Sequence, residues 1–213
     1  MSDAGQTIFD TTVYSFLDAV NLLITSIGSD PVTSDDPSLD SDVAIAVGFL
    51  VNTNNDIQSR GWGWNTLEKV TLAQATDGTI PVPSDALEVV YAYWSDTGAP
   101  MQFIQRNGKL YDRVNNTFVF TSQVQADLII RLDWNDLPQQ AKRLIAIVAC
   151  QQFQAVKQGS GMVAQVEDRD IQRAWAALEN LEDRIRRSNQ ITGNLSTMRV
   201  LYGSGVRRNR GVF

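Results

Sequence analysis

The 213-residue chain contains no histidine and a single cysteine. Without histidine, Ser-His-Asp and Cys-His nucleophile systems cannot form within the chain, and His-ligated zinc sites are excluded. One cysteine builds neither an intrachain disulfide framework nor a Cys-rich metal site. Cys150 lies among Ile145, Val148 and Ala149, which reads as a small hydrophobe on a buried helix face. No apolar run reaches the roughly 18 residues of a membrane-spanning helix. The opening MSDAGQTIFD has no basic stretch followed by an apolar core, so it does not read as a signal peptide. Only carboxylate-based or lysine-based catalysis remains open, and no metal or cofactor is expected.

Charge is present but unevenly placed. The formal net charge is −6. Residues 184–213 hold Arg184, Arg186, Arg187, Arg199, Arg207, Arg208 and Arg210 and no acid, so this end carries +7. Residues 1–183 hold the other 11 basic and all 24 acidic residues, or −13. An acidic body with a basic end marks a charged docking segment.

Residues 12–27 follow three-and-four apolar spacing and read as an amphipathic helix stopped by Gly28. Residues 29–38 form a loop rich in Asp, Ser and Pro. A second helix begins at Asp40 or Ser41 as N-cap, with Val43, Val47, Leu50 and Ile57 on one face. Its stretch from Asn52 to Asn55 is polar, so this helix is half buried. Residues 62–133 are rich in Tyr, Trp, Val, Ile and Thr and read as about six antiparallel strands, at 68–72, 87–94, 101–106, 109–112, 118–120 and 126–132. Asn107-Gly108 is the strongest hairpin signal, because both residues tolerate positive φ. Helical spacing returns after Pro138, on a face of Ala141, Leu144, Ile145, Val148, Phe153 and Val156. Gly159 to Gly161 reads as a hinge, and a last helix follows from about Met162 to Asn189. Glu182–Arg186 and Asp183–Arg187 are favourable i,i+4 pairs on it. Beyond Gly193 the chain is a poor core builder.

The expectation is therefore an α+β fold. Residues 10–61 and 134–190 form a helical bundle, and 62–133 an inserted antiparallel β-sandwich or barrel-like unit. Residues 191–213 form a basic C-terminal arm. Tryptophans at both junctions, Trp62 and Trp64 at one and Trp134 at the other, suit a seam filled by large amphipathic side chains.

Catalytic candidates are thin. A glycosidase needs two carboxyls across a cleft, and Asp127, Asp133 and Asp136 near the seam are the tolerable set. Solvated strand ends and helix starts explain them equally. The acidic loop around Asp30, Asp35, Asp36, Asp40 and Asp42 lacks the residue order of a calcium loop. The arginine-rich end could bind nucleic acid, dock on an acidic protein or only solvate. It has few aromatics for base stacking, and protein docking is favoured.

The most informative stretch is IQSRGWGWNTLEKVTL, residues 57–72. Gly61 suits a helix C-cap, and Trp62 and Trp64 would share one side of an emerging strand. With Ala19-Val20-Asn21, Ser26-Ile27-Gly28, Pro31-Val32, Tyr111-Asp112-Arg113 and Gln152-Phe153 in the same order, the chain resembles the tail tubular protein A family of T-seven-like short-tailed phages. That resemblance implies a virion protein of the tail neck, made in the host cytoplasm. It implies a structural role and no enzyme, as an adaptor ring of twelve copies between portal and tail nozzle (tubular protein B). The ring would line the DNA ejection channel without specific DNA binding and help anchor tail fibres. The seven arginines would then dock on the portal. The alternative from a different class is a carboxylate-dependent tail-associated polysaccharide hydrolase.

Overall fold

The computed structural model describes residues 14–38, 40–158 and 168–193, the last seven as backbone only. The fold is α+β. Four helices, α1 (Phe16–Ser26), α2 (Ser41–Gln58), α3 (Gln139–Gln158) and α4 (Asp168–Gly193), flank five strands. The strands are β1 (Thr66–Leu72), β2 (Ala86–Trp94), β3 (Phe103–Arg106), β4 (Lys109–Asp112) and β5 (Val124–Ile130).

α1 starts later than its periodicity suggests because Ser15 and Asp18 form a capping box. The Asp18 N–H donates to Ser15 Oγ at 3.1 Å, and the Ser15 N–H donates to Asp18 Oδ2 at 2.9 Å. Asp40 caps α2 by accepting from the Asp42 N–H at 2.7 Å. α1, α2 and α3 each touch the other two, and α4 packs on α3. Their shared core holds Leu23, Leu50, Leu144, Ile145 and Phe153, all fully buried. Cys150 is buried there, and burial pushes its thiol pKa up. Val156 departs from its expected place on the α3 core face and is 65% exposed. Residues 159–167, the expected hinge and the first part of the last helix, lie outside the described residues.

A second core, around Ile80, Leu110, Val124, Ala126 and Leu128, is shared by a three-stranded sheet and the β3–β4 hairpin. The sheet order is β1-β5-β2, antiparallel throughout, so it is not the sequential meander that the short connections imply. β5, with Val124, Ala126, Leu128 and Ile129 buried, takes the central place, where both faces are covered. The hairpin turns at Asn107 and Gly108, with φ of 51° and 68°, as the dipeptide requires. Residues 118–120 are a correction: they form no strand. Thr117 makes an isolated bridge to Asp112. The Phe120 N–H donates to the Gly78 carbonyl at 2.9 Å, and the Phe120 carbonyl accepts from the Gln74 amide. The polar turn thus consumes the backbone groups that a sixth strand would have used.

That turn carries a pH-dependent element. The Thr79 hydroxyl and N–H donate to Asp77 Oδ1, at 2.7 and 3.0 Å. Those bonds, led by the hydroxyl and helped by Lys109, hold the Asp77 carboxyl down at about 2. A depressed carboxyl stabilises the fold above its unfolded value of 3.8 and ceases to do so as pH falls toward about 2. Asp77→Asn is therefore expected to flatten stability over that acid window, measured by denaturant midpoints from pH 5 to 2.

Candidate functional site

The residues singled out in the sequence converge where α2 ends and β1 begins. α2 stops at Gln58, and the chain reverses through Gly61 at φ 73°, which an L-residue adopts only with strain. Trp62 and Trp64 do not lie on an emerging strand as their spacing implied. They sit in a turn closed by the Asn65 N–H on the Trp62 carbonyl at 3.0 Å, and β1 starts only at Thr66. Their rings stack, with centroids 6.4 Å apart and planes at 10°. Trp175 of α4 lies against Trp62 at 6.1 Å, and the Arg60 guanidinium covers Trp175 at 4.4 Å.

Two buried amides bind the helices to the sheet at this joint. The Gln58 side chain is fully buried. Its Nε2 donates to the Leu132 carbonyl at 3.0 Å, and its Oε1 accepts from the Leu132 N–H at 2.8 Å. Gln58 thereby caps the exit of β5 as a strand neighbour would. Asn65 is equally buried. Its Nδ2 donates to the Gln58 carbonyl at 2.9 Å and the Ile130 carbonyl at 3.0 Å, while Oδ1 accepts from the Trp62 N–H at 2.8 Å. The Trp62 indole N–H donates to the Ile57 carbonyl at 2.7 Å. All these buried polar groups are satisfied, which makes such networks rigid.

A third tie reaches α4. The Gly63 N–H donates to both oxygens of Glu182, at 2.8 and 3.0 Å, and Arg186 Nε donates to Glu182 Oε1 at 2.8 Å. The i,i+4 spacing marked Glu182 as one half of a surface pair. The structure buries its carboxylate, and Arg186 backs it from the exposed side. No sequence signal names Gly63 as its partner, since the contact spans 119 positions. At the other junction Trp134 packs edge-on to Phe16, with centroids at 5.3 Å, and its indole N–H donates to the Tyr14 carbonyl at 3.0 Å.

The remaining candidates separate. Arg184 is exposed on α4, and Arg186 is engaged with Glu182. The Arg187 side chain and Arg199, Arg207, Arg208 and Arg210 lie outside the described residues. Asp127 accepts the Lys69 N–H at 2.7 Å and so holds the bulge in β1, where Lys69 has φ 53°. Asp133 precedes and Asp136 ends the short 3-10 turn before α3. Lys142, fully buried in the first turns of α3, donates to the Asn135 carbonyl at 3.2 Å, and burial lowers its pKa. Among the described residues no cluster of three or more Cys, Asp or Glu could hold a metal ion. No described helix is long and apolar enough to cross a membrane. One cavity of about 460 Å³ opens between α1 and α3, lined by Tyr14, Leu22, Gln139, Arg143 and Ile147.

The joint, the sheet and nearly all of the helices fall inside one family match. The model of the family described as tail tubular protein matches residues 17–188. The chain belongs to the tail tubular protein family. It is also similar to tail tubular protein A of Klebsiella phage KP34, with 31% identity over 130 residues. That match covers 61% of this chain and 66% of the relative, just short of two thirds of the relative's length. Membership makes the chain a structural protein of a phage tail, located in the tail of the virion.

Proposed function

We propose that the chain is the subunit of an adaptor ring between portal and tail nozzle. The single observation that carries this reading is the family match across residues 17–188, which includes both the helices and the sheet. The amide joint supports it. Gln58, Asn65 and Glu182 tie the helices to the sheet through buried hydrogen bonds, as a part held under tension requires. In this reading the helical bundle comprises residues 10–61 and 134–190, the inserted β domain 62–133 and the arm 191–213. Twelve copies form the ring, as the family resemblance implies, with the tail fibres attached around the junction with the nozzle. Genomic DNA passes through the lumen without specific binding. The −13 of residues 1–183 suits such a channel, because like-charged walls do not trap a sliding polyanion. The protein is no enzyme in this account. Asp127, one of the three carboxylates weighed for a hydrolase with Asp133 and Asp136, instead serves the β1 bulge. The arm carries Arg199, Arg207, Arg208 and Arg210 to an acidic portal surface, where guanidinium forks bond carboxylates in pairs; Arg184 and Arg187 precede it at the end of the bundle, and Arg186 there is engaged by Glu182.

One experiment tests position and arm together. Purified particles carrying a label on this chain are imaged by negative stain, for the full chain and for a chain ending at Gly193. The full chain is expected to label the neck. The shortened chain is expected to fold, with an unchanged circular dichroism spectrum, and to attach more weakly as salt rises. A label away from the neck overturns the adaptor reading. Unchanged attachment of the shortened chain across the salt series overturns the arm.

A further inference from the structure

We infer that neighbouring copies meet head to tail, with the outer face of α2 seated in the groove between α1 and α3 of the next copy. The inference rests on the ring reading and specifies its contact. From Val43 to Asn55 the helix carries no charged residue. Its outward positions between those residues are Ile45, Gly48, Val51 and the uncharged Asn52, with Ile45 38% and Val51 45% exposed. Gly48 lies between them on the same face. A Cβ there would meet nothing within 4 Å, so no close approach within the chain requires a glycine. Glycine is nonetheless the least favoured residue inside a helix after proline. Its use on an exposed apolar stripe fits close approach by another backbone. Val156 of α3, next in sequence to the Lys157 that pairs with Asp42 of α2, is also exposed, at 65%.

The occupant follows from charge and placement. Two bodies of −13 repel, and they come together at least cost through faces that carry no charge, as the centres of protein interfaces do. A closed ring needs two different patches on each subunit. Because α1, α2 and α3 pack in a triangle, α2 fills one side of the α1–α3 crease. The open groove therefore lies opposite the outer face of α2. Leu22 and Ile147 give that groove an apolar floor, and its volume of about 460 Å³ admits aliphatic side chains. Arg143 on its wall pairs with no carboxylate among the described residues. Asp56, exposed at the far end of the α2 stripe, supplies the complementary charge.

The test uses assembled tails from virions carrying Val51→Cys, Gln139→Cys or both, treated with a short bismaleimide. Cys150 is buried and serves as the unreactive background. The double variant is expected to give a ladder of cross-linked chains, and either single variant none. Adding Ile45→Arg, an exposed change that leaves the thermal midpoint of the isolated chain in place, is expected to abolish the ladder. Three results overturn the inference. One is intact tails without a ladder. Another is cross-linking of Val51→Cys alone, which marks a two-fold contact. The third is a Gln139→Cys cross-link to a cysteine placed in residues 1–13 of the same chain, which marks that segment as the occupant. Tails in which this chain forms no ring at all would refute the adaptor reading instead.

Discussion

Asn65→Ala is expected to cost about 4 kcal/mol of unfolding free energy, since it leaves several buried groups unpaired. The side chain bonds three backbone groups, the Trp62 N–H and the Gln58 and Ile130 carbonyls. Asn65 is 1% exposed, so water does not replace those bonds without opening the joint. Each buried group left unpaired costs about 1–3 kcal/mol, and adjacent losses in one network are not independent. The fold survives in a chain of ordinary stability only narrowly, since domains hold about 5–15 kcal/mol in all. Asn55→Ala, on the polar stretch of α2 and only half-buried, is the control and is expected to stay within about 0.5 kcal/mol. Urea unfolding of both variants decides it. A loss below about 1 kcal/mol for Asn65→Ala would mean that the amide network does not hold helices and sheet together.

Gly61→Ala is expected to cost about 3 kcal/mol, from two separable sources. The residue has φ 73°, and placing an L-residue there costs about 1–2 kcal/mol. Its Cβ would also stand 2.6 Å from Ile129 Cδ1 and 3.1 Å from Cγ1, and overpacking of this kind costs about 1–3 kcal/mol. Gly28→Ala separates the two. Its φ is 84° with nothing within 4 Å, so it suffers the conformational penalty alone. Ile129→Val removes Cδ1 and by itself costs about 0.5–1.5 kcal/mol. Combined with Gly61→Ala it is expected to recover the steric part, so the double variant is more stable than the sum of its parts. Strict additivity in thermal or urea unfolding would show that the clash is relieved elsewhere and that only the backbone conformation requires glycine.

Both residues fall in the most informative run of the sequence, residues 57–72, and they were readable for different physical reasons. Gly61 was legible because a glycine after a helical pattern has a local explanation, the left-handed cap, and local geometry is written in local residues. Asn65 is visible as a polar residue beside the break, but its partner Ile130 ends β5 and Leu132, reached through Gln58, lies just beyond that strand. The two tryptophans show the limit of spacing. Alternation implied a strand, but the Asn65–Trp62 turn intervenes, and the rings stack through the turn instead of across a pleat.

The sequence alone determined the element types and their order: helices, strands, helices, with Asp40, Gly28 and Asn107-Gly108 marking real ends and turns. These follow from periodicity, capping and φ tolerance, which act over a few residues. It also determined the uneven charge and, by lacking histidine, the chemistry the chain cannot perform. Tertiary structure decided the rest. It put β5 between β1 and β2 instead of at an edge, because the most apolar strand is best covered on both faces. It left 118–120 out of the sheet, where Gln74 and Gly78 take its backbone groups. It turned Glu182 from half of a surface pair into a buried ligand of Gly63. It turned Val156 outward, although periodicity assigns it to the core face of α3. Each of these depends on which distant segment arrives as neighbour, and that is settled by the packing of the whole chain and not by spacing within one element.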